Sequence, residues 1–134
     1  MNTLETGNAL ADGEPSRGWF IGDLAAWAAA RGESARGEFS PDTLRQSGAV
    51  EVKWFMHPPG DERVAWAPPD RNLTLTIIIE GALTLYFRSI DGEERTVDLV
   101  GRGEYALWHG PSYTHSWRTQ EGCTLVTVRW PVQR

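Results

Sequence analysis

The stretch LTLTIIIEGALTLYFRSIDGEERTVDL, residues 73–99, decides the fold class. Its first two runs are rich in β-branched and aromatic residues and are separated by Gly81. Such residues favour β-strands, and Asp91-Gly92 between two alternating segments is a strong hairpin signal. We therefore predict two strands joined at Gly81 and a hairpin with a two-residue turn at Asp91-Gly92. The three predicted strands are Leu73–Glu80, Ala82–Ile90 and Glu93–Leu99.

Further short strands are predicted on both sides of this stretch, each bounded by Gly or Pro. Such close spacing is typical of an antiparallel sandwich or barrel, not of a parallel α/β sheet. The predicted flanking strands are Val50–His57, Arg63–Ala67, Tyr105–Trp108, His115–Arg118 and Cys123–Trp130.

The N-terminal third of the chain has helical signals instead. Asp23 is a candidate N-cap for a helix over Leu24–Arg31, and Gly32 would end that helix. Ser40-Pro41 predicts the start of a second, brief helical turn that ends at Gly48. We therefore divide the chain into an N-terminal arm with short helices, residues 1–48, and a β-barrel, residues 49–134.

Composition excludes several classes of protein. The chain has 134 residues, the size of one ordinary domain, and a net charge of −5 with a single lysine. A surface that follows nucleic-acid phosphates is therefore not expected. The one cysteine, Cys123, provides neither a disulfide within the chain nor a cysteine-based zinc site. The N-terminus is polar, and no apolar run is long enough to cross a membrane. We expect a cytoplasmic protein with no membrane partner.

Two glycine-anchored segments carry a family resemblance. In the first, Gly60 is followed after five residues by Trp66-Ala67-Pro68. Five further residues lead to Thr74, and six more lead to Gly81. In the second, Gly103 is followed after five residues by His109-Gly110-Pro111, and then by His115. Their spacing resembles the two motifs of the cupin superfamily, except that His115 lies one residue further along the chain than the second motif requires. The resemblance covers about Val50–Trp130 and implies a double-stranded β-helix, a small jelly-roll barrel.

The resemblance also shows what has changed at the metal positions. Metal-binding cupins take two histidines and a glutamate from the first motif and a histidine from the second, as ligands of iron, manganese or nickel. Here the first three positions hold Trp66, Pro68 and Thr74, and His115 alone remains. We predict that the metal site is lost and that no cofactor is bound. The alternative is a rebuilt site that uses His57 or His109 together with His115 and Glu80.

His115 and Trp117 are two residues apart on one predicted strand, so their side chains lie on the same face. The resemblance implies that this face is the inside of the barrel. An imidazole there can transfer protons near neutral pH, although a buried histidine and a tryptophan that only fill the core are equally consistent with the pattern. The candidate catalytic residues are His115, Tyr113 and His57. The candidate ligand-binding residues are Trp66, Trp117, Thr74, Trp108 and Arg129; Arg129 could hold a carboxylate if it points inward.

These residues leave several functions open. The first is a metal-independent small-molecule site, with acid/base chemistry of the isomerase, epimerase or cyclase kind at His115. The second is a non-catalytic ligand-sensing module. The third is a metal-dependent, oxygenase-like enzyme with rebuilt ligands. The resemblance further implies a homodimer in which N-terminal segments pair across subunits.

Overall fold

Antiparallel β-strands make up most of the computed structural model, which describes residues 4–14, 17–30 and 44–133. The chain divides into two units, Met1–Phe55 and Met56–Arg134. No helix in the described ranges is both long enough and apolar enough to cross a membrane.

Two short helices and one short strand pair belong to the first unit. Helix α1 is Ala9–Asp12, strand β1 is Trp19–Ile21 and helix α2 is Leu24–Ala30. Strand β2, Glu51–His57, begins in this unit and pairs antiparallel with β1.

The caps explain why these helices begin where they do. The Asp23 carboxylate accepts a hydrogen bond from the Ala26 backbone N–H at 3.1 Å, which confirms the predicted N-cap of α2. Asn8 caps α1 in the same way, and the sequence did not predict that single turn. The Trp27 ring lies 5.3 Å from the Trp19 ring, so the helix packs against β1. The predicted end of the helix at 31–32 and the turn at Ser40-Pro41 lie outside the described residues.

The second unit contains two antiparallel sheets. One has the order β9-β4-β7 and the other the order β3-β8-β5-β6. This arrangement confirms the predicted all-β jelly roll with a short N-terminal helical segment. A 3-10 helix, Gly110–Ser112, joins β7 to β8. The strands are β3 Glu62–Ala67, β4 Asn72–Gly81, β5 Leu83–Ser89, β6 Glu94–Leu99, β7 Tyr105–His109, β8 Tyr113–Arg118 and β9 Cys123–Pro131.

Alternation along the strands defines an inner and an outer face for each sheet. On β4 every second side chain is buried, from Thr74 through Thr76 to Ile78. On β5 the same holds for Leu83, Leu85 and Phe87. These two sets form the inner faces, and the core of the unit lies between them.

Gly81 makes the transition from the first sheet to the second. Its φ of +84° lies in the left-handed region that favours glycine. A Cβ at this position would contact the carbonyl oxygen of Gly122 and lie 2.8 Å from Cα of Cys123. Glycine is therefore required here both by backbone conformation and by the closeness of another backbone segment.

The hairpin between β5 and β6 is present, but its loop has three residues and not the predicted two. Ser89 N–H donates to the Glu93 carbonyl at 2.8 Å, and Gly92 N–H donates back to the Ser89 carbonyl at 2.9 Å. Ile90, Asp91 and Gly92 thus form the loop, with Gly92 at a φ of +87°. This loop sets Phe87 opposite Arg95, whereas a two-residue turn would have set Arg88 opposite Arg95.

Candidate functional site

The inner face of the β9-β4-β7 sheet carries polar groups among its apolar ones. Thr74 lies opposite Arg129 on β9 and opposite Trp108 on β7, so these three side chains share that face. One step along, the hydroxyl oxygens of Thr76 and Thr127 are 2.9 Å apart and buried. The structure thus places Arg129, Thr74 and Trp108 on the inner face.

The inner face of the other sheet carries the histidine and tryptophan of β8. His115 lies opposite Phe87, and Trp117 lies opposite Leu85. Opposed residues of an antiparallel pair project to the same side, so both point toward the core. Tyr113 lies outside the predicted strand His115–Arg118, but it is the first residue of the observed β8 and shares the parity of His115.

Four of these inward side chains pack as one group, which we call the aromatic cluster: Phe87, Trp108, Tyr113 and His115. The Phe87 ring lies 5.2 Å from Trp108 and 5.7 Å from Tyr113, both in edge-to-face geometry. The His115 ring lies 5.0 Å from Trp108 and 6.4 Å from Phe87. Because Trp108 comes from one sheet and the other three from the second, the cluster joins the two sheets.

His57 lies against a different aromatic ring. Its imidazole is 4.3 Å from the Trp117 ring, and only 8% of the residue is exposed. Its Nδ1 is 2.8 Å from a carboxylate oxygen of Asp61. A carboxylate accepts hydrogen bonds, so this contact favours the proton on Nδ1 and fixes the orientation of the ring. Asp61 follows the Pro-Pro-Gly turn after His57, and no sequence pattern predicts this pairing.

A cavity of about 310 Å³ opens beside the aromatic cluster, between β6 and β7, the edge strands of the two sheets. Three members of the cluster line it, namely Phe87, Trp108 and Tyr113. The remaining lining residues come from the edge strands themselves: Arg95, Val97, Tyr105, Ala106, Leu107 and His109.

A second cavity, of about 410 Å³, lies at the ends of β5 and β8. Its walls include Leu83, Val100, Arg118 and Glu121, and no aromatic ring or histidine lines it. The cavity beside the aromatic cluster is therefore the better candidate site.

Of the other residues singled out from the sequence, Trp66 and Glu80 lie away from this cavity, and His109 lies at its rim. Trp66 is on the outer face, where the guanidinium of Arg88 stacks 4.3 Å from its ring centre. Ala67, the next residue, takes the inward place opposite His115. Glu80 is exposed near the end of β4. His109 is exposed at the rim of the cavity, with Nδ1 2.6 Å from the Ser112 hydroxyl.

The side chains at the motif positions do not fit a divalent metal site. At the three positions of the first motif, Trp66 faces outward, Pro68 has no donor atom, and Thr74 has only a neutral hydroxyl. Within residues 4–14, 17–30 and 44–133, no three histidine, cysteine, aspartate or glutamate side chains lie close enough together to hold a metal ion. The rebuilt set of His57, His109, His115 and Glu80 is thus not brought together.

Solved structures share this fold at low sequence identity. A cupin superfamily protein of Desulfitobacterium hafniense is 17% identical, with a TM-score of 0.53 over 65% of this chain and 72% of that one. The cupin domain of Schizosaccharomyces pombe Cnp3 is 13% identical, with a TM-score of 0.52 over 63% and 54%. An oxalate decarboxylase of Bacillus subtilis with Mn(II) centres is 17% identical, with a TM-score of 0.54 over 62% and 21%.

The matched region spans about half of the Cnp3 chain and about a fifth of the decarboxylase chain. No protein-family model and no curated protein sequence matches the chain. At these identities the similarity concerns the fold alone.

Proposed function

We propose that this chain, which has the cupin fold, binds a small organic molecule between its two sheets and does so without a metal ion. The observation that carries the proposal is the cavity beside the aromatic cluster, which reaches Phe87, Trp108 and Tyr113 from the open edge between β6 and β7. Its volume of about 310 Å³ is at the lower end of the range for ligand sites, so the ligand is small.

The chemistry of the walls supports a flat, largely apolar ligand. Aromatic rings prefer edge-to-face or offset contacts, and Phe87 already makes edge-to-face contacts with Trp108 and Tyr113. A further ring inserted beside them would extend the same packing. A few polar groups at the rim, among them the Tyr113 phenol and the His109 imidazole, would orient the ligand.

Metal independence rests on the donor set. A divalent iron, manganese or nickel site is built from imidazole and carboxylate ligands, and the corresponding positions here offer an indole, a proline ring and a hydroxyl. The Mn(II) centres of the oxalate decarboxylase therefore give no guide to the chemistry of this chain.

A titration with benzamide, an uncharged aromatic probe, tests the proposal on tag-free protein. We expect elemental analysis to find no stoichiometric iron, manganese, nickel or zinc. In proton–nitrogen NMR spectra, benzamide should shift the indole N–H signal of Trp108, assigned with Trp108→Phe. The matched control is the signal of Trp66, assigned with Trp66→Phe, which should stay in place because Trp66 is on the outer face. A shift at Trp66 alone, no shift at either signal, or a stoichiometric metal would overturn the proposal.

Acid/base catalysis is the second candidate, and it is favoured by the His57–Asp61 contact, which lies against Trp117 and does not line that cavity. A carboxylate that orients an imidazole is the arrangement that general bases use, and His115 and Tyr113 would supply further proton-transfer groups. Isomerase, epimerase or cyclase chemistry would begin by removing a proton from carbon. A purely sensing role is the alternative.

Deuterium exchange distinguishes these two roles. With acetophenone in D₂O, a catalytic site should incorporate deuterium at the α-carbon faster than buffer does. His57→Ala or His115→Ala should abolish most of that excess, a loss of about 100-fold or more. Exchange at the buffer rate in the intact protein would contradict the catalytic role on this class of carbonyl compound and favour a binding role.

The homodimer and the cytoplasmic location stay predictions. For the homodimer, the expected contact is the pairing of N-terminal segments across the two subunits.

A further inference from the structure

Among the residues that the structure describes, Arg95 is the one whose guanidinium lines the cavity beside the aromatic cluster. The three-residue loop sets it opposite Phe87, and Leu83, Leu85 and Phe87 all point inward on β5. The Arg95 side chain therefore projects from β6 to the inner side of the sheet and lines the cavity. Because β6 is an edge strand, the residue stays exposed while its side chain faces the opening.

The charge of Arg95 is not matched within the cavity. Within the described part of the chain, no aspartate or glutamate lines the cavity. Arg88, one strand away on the outer face, provides the contrast. Its guanidinium donates to the Glu94 carboxylate at 2.8 Å and lies over the Trp66 ring. Arg95 has no such carboxylate partner among the residues that the structure describes.

A planar guanidinium beside aromatic rings is suited to one kind of ligand. Its parallel N–H donors match the two oxygens of a carboxylate, and the bond is charge-assisted. The rings of Phe87, Trp108 and Tyr113 line the same cavity and offer faces and edges to a flat apolar group. Arg129, which the sequence suggested as the carboxylate clamp, does not line this cavity.

We propose that the cavity beside the aromatic cluster takes a small aromatic carboxylate, with the carboxylate on Arg95 and the ring against Phe87, Trp108 and Tyr113. This inference rests on the proposed binding function and adds the class of ligand. Arg95 is then the residue that determines specificity for an anion over an uncharged molecule of the same shape.

Calorimetric titration with benzoate and its uncharged isostere benzamide tests this inference. In the intact protein, benzoate should bind about tenfold tighter than benzamide, which is the scale of one charge-assisted pair. Arg95→Met should remove that tenfold advantage and leave benzamide binding within about twofold. Arg95→Lys, which retains the charge but not the two parallel donors, should keep part of it. Arg88→Met removes an equal charge from the outer face and should leave the benzoate preference unchanged.

The outcomes separate this inference from the binding function itself. Equal affinity for benzoate and benzamide, or a benzoate preference that survives in Arg95→Met, would overturn the assignment of Arg95 while the binding site stands. Binding of neither probe, with no shift of the Trp108 indole signal, would overturn both. Unchanged benzamide binding in Arg95→Met shows that the variant is folded and that only anion recognition is lost.

Discussion

Replacing Phe87 with alanine is expected to lower the free energy of unfolding by about 3–5 kcal/mol, the usual loss when a buried phenylalanine is truncated. Phe87 is only 6% exposed, and its ring contacts Trp108, Tyr113 and His115. The three partners come from two sheets, so the cavity left behind cannot close without moving one sheet toward the other. Urea unfolding followed by tryptophan fluorescence measures the loss.

Two control variants make the Phe87 result specific. Tyr86→Ala removes an aromatic ring at the next position, where the side chain projects to the outer face and is partly exposed; we expect a loss of about 1 kcal/mol. Phe87→Leu keeps most of the volume and should cost less than about 1.5 kcal/mol. Equal losses in Phe87→Ala and Tyr86→Ala would show that the aromatic cluster is not a central part of the core.

Gly81→Ala is expected to destabilise the second unit by about 3 kcal/mol or more. The left-handed backbone conformation costs an L-residue roughly 1–2 kcal/mol. The added methyl group would also press on the backbone at Gly122 and Cys123, which cannot rotate away as a flexible side chain would. The midpoint of urea unfolding should fall accordingly.

Gly60 separates the two causes of that loss. Its φ of +82° is nearly that of Gly81, but a Cβ there would meet nothing within 4 Å. Gly60→Ala should therefore lose only the conformational part, about 1–2 kcal/mol. If Gly60→Ala and Gly81→Ala lost the same amount, the close approach of Gly81 to Gly122 would not be a constraint on the fold.

The sequence predicts the strands well because their patterns are long and regular. Leu73–Glu80 was predicted and Asn72–Gly81 is observed; Cys123–Trp130 was predicted and Cys123–Pro131 is observed. The two-residue spacing of His115 and Trp117 also placed both on one face, and the register opposite Phe87 and Leu85 shows that this face is the inner one.

The site is predicted less well because spacing along a chain does not fix the direction of a side chain. Counting from Gly60 placed Trp66 at an inward ligand position, yet in the pairing of β3 with β8 it is Ala67 that lies opposite His115 and faces inward. The Asp61 contact with His57 depends on how the chain turns after Pro59. Neither fact is contained in the spacing of apolar residues.

Arg95 was missed for a related reason. A two-residue turn at Asp91-Gly92 would have put Arg95 opposite Arg88 on the outer face. The extra loop residue, Ile90, reverses the faces of every side chain on β6.

That loop makes the charge of the cavity depend on the length of the chain between two strands. Deleting one codon at Glu93, with the three-residue loop kept, would shift β6 by one residue and set Arg88 opposite Arg95, with no change to any residue of the strand itself. Arg95 and Val97 would then turn outward, and Glu94, Thr96 and Asp98 would face the opening. The same scaffold would present carboxylates in place of a guanidinium and would favour cationic molecules. Selection could thus invert ligand preference through a single insertion or deletion, a route that substitution scans of the lining residues would not explore.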